Sequence, residues 1–266
     1  MNLSLQLKHQ GAKNGIYYRS LTGCCFSVGH HTIDIDVQIE VRNLTKVYND
    51  TRGLFPISFE ISKGELIAIV GHNGAGKSTL LKILASWLLP DSGTVVIDGI
   101  NLNDRMSIVK KIGFVPETPN LFDLFSVEYN LKLFARLSKV PFTRVDEMLK
   151  EFDLSSFSKN KIQILSKGLK QRVSIVRSLL ANPPILLFDE PTSGLDFEMT
   201  KGIYKLLNNF HAQAKTIIFT SHRPEEIRDL ATRILVLHQG RLIFDDSTEQ
   251  YFRSQTHHEL YEELYA

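Results

Sequence analysis

The chain has 266 residues, 43% of them hydrophobic, long for one average domain and suited to a single domain with an inserted subdomain. Its 31 basic and 29 acidic side chains leave a net charge of only +2. That balance excludes a strong electrostatic pull toward nucleic acid or an anionic membrane, and no nucleic-acid partner is expected.

Residues 1–38 are polar and weakly patterned, and read as a tail. They carry Lys8, Lys13 and Arg19 and lack the apolar stretch and cleavage site of a signal peptide, so none is expected. Cys24 and Cys25 are the two cysteines. Adjacent cysteines do not staple distant segments, which fits a reducing compartment. His30 and His31 lie nearby, but the spacing matches no standard zinc pattern. No run approaches the roughly 18 apolar residues of a spanning helix, so a membrane role is expected to fall to a partner.

From Ile39 the pattern sharpens. Residues 39–47 and 55–61 alternate apolar and polar side chains, which predicts half-buried antiparallel strands. Leu66–Val70 is continuously apolar between Gly64 and Gly71, as suits a strand buried on both faces of a parallel sheet. Ile185–Phe188 and Thr216–Thr220 repeat that character. Between them Met199, Ile203, Leu206, Leu207 and Phe210 share one helix face. Strands alternating with amphipathic helices predict an α/β core. The stretch of about 117–180 reads as helical instead, with Val127, Leu131 and Phe134 on one face and Val145, Met148, Leu149 and Phe152 on another, and it is the candidate insertion. Short strands are expected at 234–237 and 241–244, and Leu260, Tyr261, Leu264 and Tyr265 close the chain at helical spacing.

Residues 71–78, Gly-His-Asn-Gly-Ala-Gly-Lys-Ser, fit the P-loop pattern and stand between a buried strand and an apolar helix start. Glycines there let backbone N–H groups turn toward phosphate oxygens, and the helix that follows adds its positive end. Lys77 would bridge the β- and γ-phosphates, and Ser78 would offer its hydroxyl to Mg²⁺. A plain glycine-rich turn with a surface lysine would need neither flank.

Asp189 and Glu190 follow the apolar strand directly. Alone, such a pair is most simply a solvated strand end. Beside a P-loop, at the carboxyl ends of parallel strands, Asp189 can hold Mg²⁺ and Glu190 can polarise the attacking water as general base. A third element is Leu165-Ser166-Lys167-Gly168-Leu169, where Ser166 and free N–H groups open a helix. By itself this is ordinary N-capping.

Together these motifs resemble the nucleotide-binding domain of ATP-binding cassette (ABC) proteins over roughly residues 39–247. Residues 165–169 correspond to the family's Leu-Ser-Gly-Gly-Gln signature, residues 189–196 to its Walker B strand end and D-loop, His222 to its switch histidine, and Tyr48 to the aromatic that stacks on adenine. The resemblance implies an α/β fold: a P-loop ATPase core with a mixed sheet, an N-terminal antiparallel β subdomain and an inserted helical subdomain. The ATPase domain would span 39–250, between the tail at 1–38 and a helical tail at 251–266. It implies ATP and Mg²⁺ as cofactors, the nucleotide held by Tyr48, Gly71, Asn73, Gly74, Ala75, Gly76, Lys77, Ser78, Thr79 and Glu117, and the metal by Ser78, Asp189 and Glu117. Glu190, His222 and Lys77 would carry catalysis. Two chains would meet head to tail, Ser166 and Gly168 of one contacting the γ-phosphate held by the other, with Asp196 communicating across the interface. The expected partners are that second ABC subunit, a copy or a paralogue, and separate transmembrane permease subunits, reached partly through an aromatic segment (Phe122, Phe125, Tyr129, Phe134) most of whose side chains more simply fill the subdomain core. The expected location is the cytoplasmic face of the plasma membrane.

Three positions depart from the family consensus. Glu117 stands where the Q-loop has glutamine, and Lys167 and Leu169 replace the signature's Gly and Gln. A carboxylate at 117 still offers oxygen to Mg²⁺ while adding negative charge near the triphosphate. The variants Ser-Lys-Gly-Leu-Lys-Gln-Arg and Val-Pro-Glu resemble those of bacterial exporter ATPases, which points to export. The rival classes are a soluble ABC ATPase of ribosomes or DNA, which would bring a second cassette or a long coiled coil, and a P-loop kinase, which has no need of Ser166, Gly168 and His222 in this order.

Overall fold

The structure, a computed structural model, describes residues 37–49 and 52–254. The expected tail up to residue 36, with its cysteines and histidine pair, and the helical spacing at Leu260 to Tyr265 lie outside the described residues.

Strands β1 (Val37–Asn49) and β2 (Arg52–Ser62) form an antiparallel pair. Their alternation buries Ile39 and Val41 on one strand and Ile57, Phe59 and Ile61 on the other. With β4 (Ser92–Ile97) and β5 (Ile100–Asn101) they complete an antiparallel sheet in the order β2-β1-β4-β5.

The second sheet has the order β10-β9-β3-β8-β7-β6, built from β3 (Leu66–Val70), β6 (Ile112–Val115), β7 (Ile185–Phe188), β8 (Thr216–Thr220), β9 (Arg233–His238) and β10 (Arg241–Ser247). Its neighbours are parallel except the antiparallel pair β9–β10, so the sheet is mixed. Every residue of β3, β7 and β8 is buried, because the sheet divides two cores. Ile67, Ile69, Leu187 and Ile218 face a core shared with the antiparallel sheet and α1 (Lys77–Leu84). Leu66, Ala68, Leu186, Phe188 and Ile217 face a second core, filled from the other side by helices. Two wet-free faces require an unbroken apolar strand, and that is what these segments show.

The helical segment is narrower than its sequence pattern. Residues 117–126, bounded by Pro116 and holding Pro119, form no helix. Helix α3 (Val127–Leu137) begins where the Ser126 hydroxyl accepts from Tyr129 N–H at 3.1 Å. It buries Val127, Leu131 and Ala135 beside Val145, Met148 and Leu149 of α4 (Phe142–Glu151). Two single 3-10 turns lead to α5 (Lys167–Leu179). Helix α6 (Phe197–Ala212) buries Ile203, Leu207 and Phe210, and α7 (Pro224–Leu230) and α8 (Thr248–Arg253) follow. Strands β4 and β6, α8 and the short helix α2 (Arg105–Ile108) are elements the sequence pattern does not mark out. Among the described residues no helix is long and apolar enough to cross a membrane.

Candidate active site

Because β3, β6, β7 and β8 are parallel, the loops leaving their carboxyl ends emerge on one side of the sheet. The turn after β3 has to reverse within a few residues and enter α1 at once. Gly76, the residue before the helix, does this with φ +104°; a Cβ there would meet Leu54 Cδ2 at 2.6 Å and Gly53 O at 3.2 Å. Lys77, the first helical residue, is buried, and its ammonium donates to Gly71 O at 2.5 Å and His72 O at 3.2 Å. Burial holds the Lys77 pKa below its ordinary value, against the opposing pull of the Glu190, Asp189 and Glu117 carboxylates.

Next along α1, the Ser78 hydroxyl donates to Asp189 Oδ1 at 3.0 Å. Asp189 is buried at the end of β7, and the same Oδ1 accepts from the Thr220 hydroxyl at 2.9 Å. Glu190 follows with φ +47°, a left-handed backbone that costs a non-glycine residue about 1–3 kcal/mol. Its N–H donates to Thr220 Oγ1 at 2.8 Å, and its Oε2 lies 3.0 Å from His222 Nδ1. Burial raises the Glu190 pKa, with His222 and Lys77 opposing the rise. A carboxylate poised in this way beside a histidine and a lysine is suited to accept a proton.

These groups surround a cavity of about 410 Å³. Of the sequence-derived candidates, Tyr48, Asn73, Gly74, Gly76, Lys77, Ser78, Thr79, Glu117, Glu190 and His222 line it. Gly71 and Ala75 are buried behind the turn, and Asp189 lies beneath Ser78. Arg52, Gly53 and Ser193 also line the cavity, and sequence reasoning assigned them no role. Thr220 was missed as well. A hydroxyl following the apolar run 217–219, two residues before His222, is the signal that could have found it.

Ser166 and Gly168 do not line this cavity. Ser166 caps α5 by accepting from Leu169 N–H at 3.3 Å. Gly168 is pressed against the Met199 side chain, where a Cβ would collide, and the exposed Lys167 side chain lies over Gly194. A second buried network joins the loops after β7 and β8. Glu226, fully buried, accepts from the Thr192 hydroxyl at 3.1 Å and from the Ser221 hydroxyl at 2.6 Å. Burial raises its pKa against the pull of those two donors.

The sequence model of the ABC transporter family matches residues 54–193, more than half of the chain. The ABC transporter ATP-binding protein NatA of Bacillus subtilis (strain 168) is 34% identical over 211 residues, covering 77% of this chain and 85% of that protein. The Nod factor export ATP-binding protein I of Rhizobium sp. (strain N33) is 35% identical over 216 residues, covering 79% and 71%. Among solved structures, a dimeric ATP-binding cassette in a post-hydrolysis state with ADP and Pi matches with a TM-score of 0.72 and 32% identity, over 79% of this chain and 98% of that one. The chain therefore belongs to the ABC transporter family. It is an ATP-binding subunit with ATPase activity, and the parallel strand ends bearing the P-loop and the Asp189–Glu190 pair are the part of the fold suited to that chemistry.

Proposed function

We propose that two copies of this chain close head to tail around ATP and so drive a transporter whose membrane-spanning subunits are separate chains. Lys77 would contact the β- and γ-phosphates from within the turn, while Tyr48 would stack on the adenine and Glu190 and His222 would act on the attacking water. Ser78, Asp189 and Glu117 would hold Mg²⁺, which neutralises phosphate charge when bound. The fit is supported by hard oxygen donors, Ser78 and Glu117 at the cavity wall and Asp189 just beneath it, Ser78 Oγ and Asp189 Oδ1 being 3.0 Å apart.

The observation that carries the reading is the separation of two phosphate-seeking elements. The P-loop and the acid pair converge on one cavity, whereas Ser166 and the free N–H groups of α5 stand outside it. A helix start of that kind is suited to an anion supplied by another molecule. The reading assigns residues 39–250 to the ATPase domain and the helical part of about 117–180 to the insertion. It puts the subunit on the cytoplasmic face of the membrane, docked through exposed Phe122, Phe125 and Tyr129, while Phe134, expected in the same segment, packs against the core. The signature variants and the Nod factor export relative support export as the direction.

The test is size-exclusion chromatography of Glu190→Gln with Mg-ATP. A dimer that dissolves when ATP is omitted is expected. Monomeric elution at high protein concentration would overturn the head-to-tail arrangement, and failure to capture any membrane subunit with tagged chain from native membranes would overturn the transport role.

A further inference from the structure

Thr220 ends β8 with no exposed surface. A threonine hydroxyl has one proton to give and two lone pairs. The Glu190 N–H can only donate, so at 2.8 Å it occupies a lone pair of Thr220 Oγ1. The Thr220 proton is then directed to Asp189 Oδ1, at 2.9 Å. One hydroxyl thus holds the side chain of the first acid and the backbone of the second. Ser78 donates to the same Oδ1 from the other side, so the Asp189 carboxylate is pinned between α1 and β8.

The sheet does not need this bond. Strands β7 and β8 are already paired in register from Ile185 against Thr216 to Phe188 against Phe219. Beyond that ladder the chain turns into the left-handed backbone of Glu190, immediately before Pro191, whose ring restricts the residue preceding it. Such a conformation persists where its surroundings over-determine it. The Thr220 oxygen is the acceptor for the N–H of that residue. Two residues further, His222 meets the Glu190 carboxylate at 3.0 Å. A single strand end therefore grips Glu190 from both its backbone and its side chain.

We propose that Thr220 is a positioning residue for ATP hydrolysis, aiming the Glu190 carboxylate and fixing Asp189 through one shared hydroxyl. The assignment rests on the reading of Asp189 and Glu190 as the acids that act on the bound nucleotide. Misplacing a reacting group by about 1 Å can cost on the order of a hundredfold in rate. Thr220→Val keeps the branched shape of the side chain and removes both hydrogen bonds, Thr220→Ala removes them without the branch, and Thr220→Ser keeps the hydroxyl.

The measurements are steady-state ATPase kinetics, nucleotide affinity and melting temperature of the full chain. Expected is a fall in kcat of about ten- to a hundredfold for Thr220→Val and Thr220→Ala, with KM for ATP and nucleotide affinity within about threefold of the parent, and kcat for Thr220→Ser within about threefold. A folded variant lacking the hydroxyl with kcat within twofold of the parent overturns the proposal. So does Thr220→Ser falling as far as Thr220→Val, or a rise in KM at unchanged kcat. Should Thr220→Val not fold, Thr220→Ala against Thr220→Ser decides on the same terms; should both hydroxyl-free variants fail to fold while Thr220→Ser folds, the residue is structural and the proposal is overturned. Glu190→Gln separates the two levels. Its loss of turnover beside an unaffected Thr220→Val overturns only the Thr220 assignment, whereas a parental rate in Glu190→Gln overturns the reading of the acids and this assignment together.

Discussion

The turn after β3 and the start of α5 are built from similar parts and come out differently. Each is a glycine-containing helix start with a hydroxyl and a lysine nearby. At the β3 turn the elements converge: Lys77 is buried, Ser78 bonds Asp189, and Glu190 and His222 close the same cavity. At α5 Ser166 and Lys167 are exposed, the hydroxyl is used as a cap, and Lys167 lies over Gly194. A helix N-terminus becomes a phosphate site only when other elements bring charge and hydrogen bonds to the same point. One chain supplies that company for the first helix and not for the second.

The comparison breaks most visibly at Glu190. Glu190→Gln is expected to lower kcat by at least about a hundredfold, the lower end of the range for general-base catalysis, while ATP still binds; phosphate release measures it, and a residual rate above a tenth of the parent would remove Glu190 from that role. Lys77→Ala is expected to weaken ATP binding about tenfold to a hundredfold, as the loss of a charge-assisted contact of about 1.5–3 kcal/mol would. Equilibrium binding of a fluorescent nucleotide reports it, and unchanged affinity would mean that Lys77 serves the turn alone.

Ser166→Ala sharpens the other half. Loss of a cap costs about 1 kcal/mol of stability, so as a cap only it lowers the melting temperature and leaves turnover alone. As a contact in trans it is expected to lower kcat about tenfold at saturating ATP, and the specific activity of the parent should rise with protein concentration. Flat specific activity across a wide dilution series would leave α5 a capped helix and nothing more.

The smallest expected effect concerns Glu226. Its pKa is raised by burial, so the folded chain keeps that proton to higher pH than the unfolded chain. The stability it contributes is complete below the ordinary carboxyl value of about 4.5 and is lost as pH rises through the folded value. Glu226→Gln does not titrate. The melting temperature of the variant relative to the parent should therefore climb as pH rises above the ordinary carboxyl value. A gap independent of pH would show that Glu226 is not held neutral.

The α/β core was legible because its strands are buried on both faces, and burial writes itself as the unbroken runs Leu66–Val70 and Ile185–Phe188. The turn was legible because its geometry forces glycine at Gly76. Strand β4 was not, since its first three residues, Ser92, Gly93 and Thr94, are exposed and carry no apolar alternation. Residues 117–126 carry apolar side chains yet form no helix, with proline at 116 and 119. Thr220 and Glu226 were hard to read as site residues because a buried polar side chain is defined by its partners, and theirs come from the loops after β7 and β8.

The sequence by itself determined the ABC family, the α/β class and the candidates from Tyr48 to His222, since turn glycines, buried strands and a hydroxyl-capped helix start are local demands that residue order can express. Only the tertiary structure decided which candidates share a cavity, that Lys167 lies over Gly194, and that Thr220 binds Asp189 and Glu190 at once. Those facts depend on distances between segments far apart in the chain, and such distances are set by how the two cores pack on either side of the sheet.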